Sequence, residues 1–138
     1  MKALALSQTQ NRNIDKITSP YWTNLLNLLG LVLVVDQDEC SGKIETFFDV
    51  ATELKYVIDP TYRFSRKTIK SWLQQNWQIL NDKSSHMDDD YLHSLLTKIM
   101  PRGHKLDILT SMVRIAIAEG NYSDAQQILT RKTILYWQ

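Results

Sequence analysis

One pattern occurs twice in this chain: an apolar run, then a turn with acidic residues, then the start of a helix. The first copy joins the apolar residues 25–35 to the turn 36–42, and the second joins residues 108–118 to the turn 119–124. The two copies are offset by 83 residues (108 − 25), which places Asp36 on Glu119. The repeat predicts two helical hairpins of common design that carry carboxylates at equivalent turns.

The remaining apolar residues recur at the three-and-four spacing of amphipathic helices, and no segment alternates as a half-buried strand does. Lys43, Glu45, Asp49, Glu53 and Lys55 are expected on the solvated side of one such helix. Ser19-Pro20 and the capping box in residues 123–126 are helix-start signals. Residues 31–35 are rich enough in β-branched side chains to form a buried strand, but their match to the second copy favours a helix.

These patterns predict a single all-α domain of about seven helices in two pseudo-symmetric halves. The expected N-terminal arm is residues 1–18, and the halves are expected at about 19–80 and 85–138.

Composition restricts the partners. The chain is 43% apolar and 22% charged, and its net charge of +1 provides no overall field to attract nucleic acid. The longest apolar stretch is interrupted by Asn27 and Gly30, so membrane insertion is not expected. The single cysteine, Cys40, fits a reducing compartment, and no signal-peptide core precedes it, so we expect a cytoplasmic protein.

The first acidic turn begins like a calcium-binding loop, but Ser41 and Phe47 occupy the positions where an EF-hand needs glycine and glutamate. A looser cluster of carboxylates remains. With the acids of the second turn, the expected ligands of a divalent cation, calcium or manganese, are Asp36, Asp38, Glu39, Glu45, Glu119 and Asp124. The alternative is that these acids only solvate the loops and helix starts.

Two further clusters are interpreted as solvated surface. His86, His93 and the acids 88–90 lack the three or four convergent groups of a metal site. The basic residues 63–70 near Trp72 and Trp77 match no nucleic-acid recognition motif. Because there is also no phosphate loop, nucleophile elbow or histidine–cysteine pair with a supporting acid, we expect no enzyme.

The turn of the second copy, Ala118-Glu119-Gly120-Asn121-Tyr122-Ser123-Asp124-Ala125-Gln126-Gln127, resembles the repeated hairpin of the TerB-like family of tellurite-resistance proteins. Residues 35–45 fit the same pattern with one extra residue, and the likeness covers residues 21–137.

The TerB-like resemblance implies the same all-α architecture, metal ions bound at the hairpin turns, and a link to tellurite or general stress resistance. The family's acidic positions fall on Asp36, Glu45 and Glu119. Gln37 replaces its expected glycine and Gln127 its second glutamate, and the strong acidity of the tellurite-operon members is missing. A metal-free module for protein interaction or regulation is therefore the alternative function.

The C-terminal residues predict an interface. Consecutive helical residues are spread by about 100°, so the four residues Ile134-Leu135-Tyr136-Trp137 cannot all face one core, and Ile134, Tyr136 and Trp137 are the expected interface residues. We expect part of this surface to meet a second copy of the chain. The alternatives are the segment before Ser19 and burial between the two halves.

Overall fold

The computed structural model describes residues 17, 19–35, 41–61, 64–101, 103–120 and 122–138, and the expected all-α class is confirmed for this part of the chain. It contains no strand and six helices, compared with about seven predicted for the whole chain. They are α1 (Pro20–Val34), α2 (Ser41–Ile58), α3 (Arg66–Ser85), α4 (Asp89–Ile99), α5 (Lys105–Ile117) and α6 (Asp124–Tyr136).

Helix α1 lies at the centre of the fold. Residues 28–34 are all buried, and α1 packs against α2, α3, α4 and α5. A helix that is apolar on every side is stable only when it is surrounded in this way. The stretch 31–34 is helical, as its match to the second repeat predicts.

The helix bounds on either side of the two acidic turns keep the repeat offset. Helix α1 ends at Val34 and α5 at Ile117, while α2 begins at Ser41 and α6 at Asp124, so both pairs of bounds are separated by 83 residues. Helices α2 and α5 pack antiparallel. Arg114 of α5 pairs with Glu53 of α2, and Glu119, just after α5, lies beside the first turn of α2.

The predicted capping box is confirmed. The Ser123 hydroxyl accepts a hydrogen bond from the Gln126 backbone N–H at 3.2 Å, and the Gln126 side-chain oxygen accepts one from Ser123 N–H at 3.2 Å. The Gln126 side chain is fully buried, and its Nε2 donates to the carbonyl oxygen of Val32 at 3.0 Å. This bond links the start of α6 to the last turn of α1.

The expected solvation of two lysines was wrong. Lys43 is 1% exposed and Lys55 is 6% exposed. The Lys55 ammonium lies 4.2 Å from the ring centroid of Tyr56 and 5.9 Å from that of Phe64, where ring faces attract a cation. Lys43 is equivalent to Gln126 at the repeat offset, so both hairpins bury a long polar side chain in the first turn of their second helix.

Of the six helices described, none combines the length and the apolar character that crossing a membrane requires.

Candidate functional site

A surface recess lies where α2 and α3 pack together, and we call it the α2–α3 groove. Its volume is about 500 Å³, and it is lined by Ile44, Glu45, Phe48, Lys70, Leu73, Gln74 and Trp77. The spacing of these residues explains the shape, because side chains four apart on a helix lie on one face. Ile44 and Phe48 form such a pair on α2, and Leu73 and Trp77 form one on α3.

The floor of the groove is apolar. Phe48 and Leu73 are buried, while Ile44 and Trp77 are partly buried and pack against the main core. Lys70 and Gln74, also four residues apart, stand exposed along the α3 edge. The groove therefore combines apolar walls from two helices with a few polar groups, which is the usual make-up of a binding pocket.

A second recess of about 360 Å³ lies next to the groove, at the first turns of α3. Glu45, Phe48, Arg66, Lys67 and Lys70 line it, and three of these residues also line the first recess. The two recesses are therefore adjacent, and the second is lined by three basic residues and one acidic residue.

Arg66 is held by two carboxylates at this end of the groove. Its guanidinium donates to Asp49 and to Glu45, and its central carbon lies 5.3 Å from the ring centroid of Phe48. The hydrogen bonds to Asp49 and Glu45 raise the pKa of Arg66 above its ordinary value. Since all three side chains are about half exposed, the pairs fix geometry more than they stabilise the fold.

The neighbouring lysines differ from Arg66. Lys67 lines the second recess and Lys70 lines both, and within the part of the chain that the structure describes neither makes an ion pair. The α3 edge thus presents two lysines without an ion-pair partner among the described residues.

The structure describes only three of the six predicted cation ligands, Glu45, Glu119 and Asp124. Asp36, Asp38 and Glu39 lie outside the described residues. Glu45 pairs with Arg66, and Asp124 is exposed as the first residue of α6. In the described ranges, no three histidine, cysteine, aspartate or glutamate side chains gather as metal ligands.

The Glu119 side chain lies beside Gly42. A Cβ atom built on Gly42 would overlap its Oε1 and would lie 2.7 Å from its Cδ. The carboxylate therefore fills the space beside Gly42, in the first turn of α2, where a negative charge is favourable to the helix dipole. This contact brings the second acidic turn to the helix that begins directly after residues 36–40.

The residues around His93 make contacts within the chain. Asp88 caps α4 by accepting a hydrogen bond from Tyr91 N–H at 2.8 Å, and Asp89 pairs with Lys132 of α6 at 2.6 Å. His93 is exposed and stacks on Tyr136 with ring centroids 4.8 Å apart.

Two of the three predicted interface residues contact α4 of the same chain. Tyr136 stacks on His93 and hydrogen-bonds to the Thr97 hydroxyl, and Trp137 Nε1 donates to the Leu96 carbonyl at 3.4 Å. Ile134 is 40% exposed, beside Leu135 at 60%. Tyr136 remains 39% exposed, so the apolar surface left at this end of α6 includes both aliphatic and aromatic side chains.

The α2–α3 groove was not predicted from the sequence. Ile44, Phe48 and Leu73 belong to stripes that predict core, and nothing in a stripe shows where two helices separate enough to leave a recess.

Comparison of the chain with models of protein families, with curated proteins and with solved structures gave no match.

Proposed function

We propose that this protein is a non-enzymatic helical interaction module that acts through the α2–α3 groove. One observation carries the proposal: apolar side chains of two helices line an open recess of about 500 Å³. A concave apolar surface with a polar rim is typical of sites that receive a ligand or a partner side chain. We place the module in the cytoplasm, as its single cysteine suggests.

In this proposal an apolar side chain of the partner enters between Phe48, Leu73 and Trp77. Burial of apolar surface supplies the affinity, at about 25 cal/mol per Å² before the costs of association. Trp77 is the residue we expect to contribute most, because partly exposed tryptophans in pockets are frequent binding hot spots.

A matched pair of substitutions tests the proposal. Gln74 and Gln75 are adjacent, exposed residues of α3, but only Gln74 lines the groove. Gln74→Trp is expected to fill the recess and Gln75→Trp to leave it open. Indole, a small apolar probe, should bind wild type and Gln75→Trp, and should lose most of its binding to Gln74→Trp in ligand-observed NMR. Equal binding to both variants would contradict the proposal.

A second candidate function is divalent-cation binding at the acidic turns, favoured by the position of Glu119 beside the first turn of α2. Asp36, Asp38 and Glu39 would supply further oxygen ligands, and calcium or manganese would suit such a set. The proposed link to tellurite or general stress resistance belongs here and rests on the TerB-like turn pattern. Calorimetry with millimolar calcium and manganese, on wild type and on Asp36→Ala and Glu119→Gln variants, tests it. Absence of heat in the wild type would rule it out.

A further inference from the structure

We propose that the occupant of the α2–α3 groove is a segment of another protein that combines an aromatic or branched aliphatic anchor with acidic residues beside it. This inference rests on the proposed function and adds the chemistry of the partner. It depends on the charge distribution along the two edges of the groove.

The two edges differ. On the α2 edge, Glu45 and Asp49 share the single positive charge of Arg66, so this edge keeps a net negative charge and an acidic segment would have to place its carboxylates along the other edge. On the α3 edge, Lys67 and Lys70 are three residues apart and therefore share a helix face. Both lysines are exposed, and neither makes an ion pair with a described residue.

An anchor seated on the apolar floor brings its flanking residues against these lysines. Glutamate or aspartate at the flanks would pair with Lys67 and Lys70, whereas lysine or arginine would meet like charge. Complementary rim charges of this kind contribute mainly specificity and association rate, while the anchor contributes most of the affinity.

Nucleic acid fits the same surface poorly. Its backbone phosphates would meet Lys67 and Lys70, but a nucleic acid carries a negative charge at every phosphate and would also lie along the opposite edge, where Glu45 and Asp49 leave a net negative charge. A peptide can instead place its acidic residues on the lysine side alone. The chain carries a net charge of only +1, and electrostatic binding of nucleic acid uses many phosphate contacts. An acidic protein segment requires only a few positive charges next to an apolar recess.

Three peptides of equal length test the inference. They share one tryptophan and one leucine, and their other residues are all glutamate, all glutamine or all lysine. Fluorescence anisotropy at low salt should give the order glutamate, glutamine, lysine. The glutamate peptide should bind roughly two- to thirty-fold more tightly than the glutamine peptide, as expected for two exposed ion pairs.

Charge reversal provides the control. The double variant Lys67→Glu/Lys70→Glu should prefer the lysine peptide, whereas Lys98→Glu, an exposed lysine on α4, should keep the wild-type order. All three substitutions replace exposed side chains, and circular dichroism checks that the variants are folded.

The outcomes separate the two proposals. Equal binding of the glutamate and glutamine peptides, lost in Gln74→Trp, would overturn the charge inference and leave the groove function standing. Binding of no peptide by a chain that binds indole in the groove would also overturn the inference, and loss of indole binding as well would overturn both. Tight binding of an oligouridine, abolished by Lys67→Glu/Lys70→Glu, would replace the protein segment with nucleic acid.

Discussion

At the scale of single residues, two helical glycines lie at close contacts of different kinds. A Cβ atom on Gly30 would lie 2.8 Å from Cδ1 of Leu80, which is a buried side chain of α3. A Cβ atom on Gly42 would instead meet the carboxylate at the end of the exposed Glu119 side chain. The first neighbour is confined by the core, and the second can move into solvent.

The same substitution should therefore have opposite effects at the two glycines. Gly30→Ala overpacks α1 against α3 at a cost of about 1–3 kcal/mol, which exceeds the gain of about 1 kcal/mol in helix propensity. Gly42→Ala should be neutral or stabilising by up to about 1 kcal/mol, because only Glu119 must move. Urea unfolding of the two variants checks the contrast, and equal free energies of unfolding would show that the α1–α3 contact is not tight.

The buried polar residues mark the limit of prediction from sequence at this scale. Lys43 and Gln126 are equivalent in the repeat, yet the charge of Lys43 predicts solvent exposure. What decides their burial is the packing of each hairpin, which encloses the first turn of its second helix. For Gln126 the enclosing partner is the Val32 carbonyl in the last turn of α1. Helical periodicity contains no information about such a partner 94 residues away.

At the scale of helices, the sequence predicted most accurately those features that depend on neighbouring residues. Ser123 caps α6 as predicted, and the ends of α1 and α5 follow the repeat offset. Caps and turns depend on neighbouring residues, so the sequence alone is sufficient for them. The α2–α3 groove depends on how two helices cross, and it could not be predicted for that reason.

Ser123→Ala should lower the free energy of unfolding by about 0.5–2 kcal/mol, because it removes the acceptor for the Gln126 backbone N–H. Ser123→Thr keeps a hydroxyl and should lose much less. Thermal and urea unfolding followed by circular dichroism measure both changes. An alanine variant as stable as the threonine variant would mean that the capping bond does not support α6.

The contact between α4 and α6 should be visible in a proton titration. Hydrogen bonding to Lys132 lowers the pKa of Asp89 below its ordinary value of 3.8. A carboxyl group with a lowered pKa in the folded state stabilises the fold above its unfolded pKa. That contribution is lost as the pH falls through the folded pKa. In Lys132→Met the pKa of Asp89 should rise in a carboxyl NMR titration, and an unchanged value would show that the pair does not form in solution.

At the scale of the whole molecule, the homodimer predicted from the C-terminus stays a prediction. Tyr136 and Trp137 contact α4 within the chain, and the apolar surface left for a second copy consists of Ile134, Leu135 and the exposed part of Tyr136. Light scattering should give the mass of two chains for wild type and of one chain for Leu135→Glu. The mass of a single chain for the wild type would contradict the predicted dimer.

The central claim is that the α2–α3 groove is the binding surface of this protein. A residue-resolved NMR titration of the wild-type chain with indole tests it most directly. We expect the largest shifts at Ile44, Phe48, Leu73 and the Trp77 indole N–H, and no comparable shifts at His93 of α4 or Tyr136 of α6, which do not line the groove. Shifts concentrated between α4 and α6, or spread evenly over the surface, would contradict the claim.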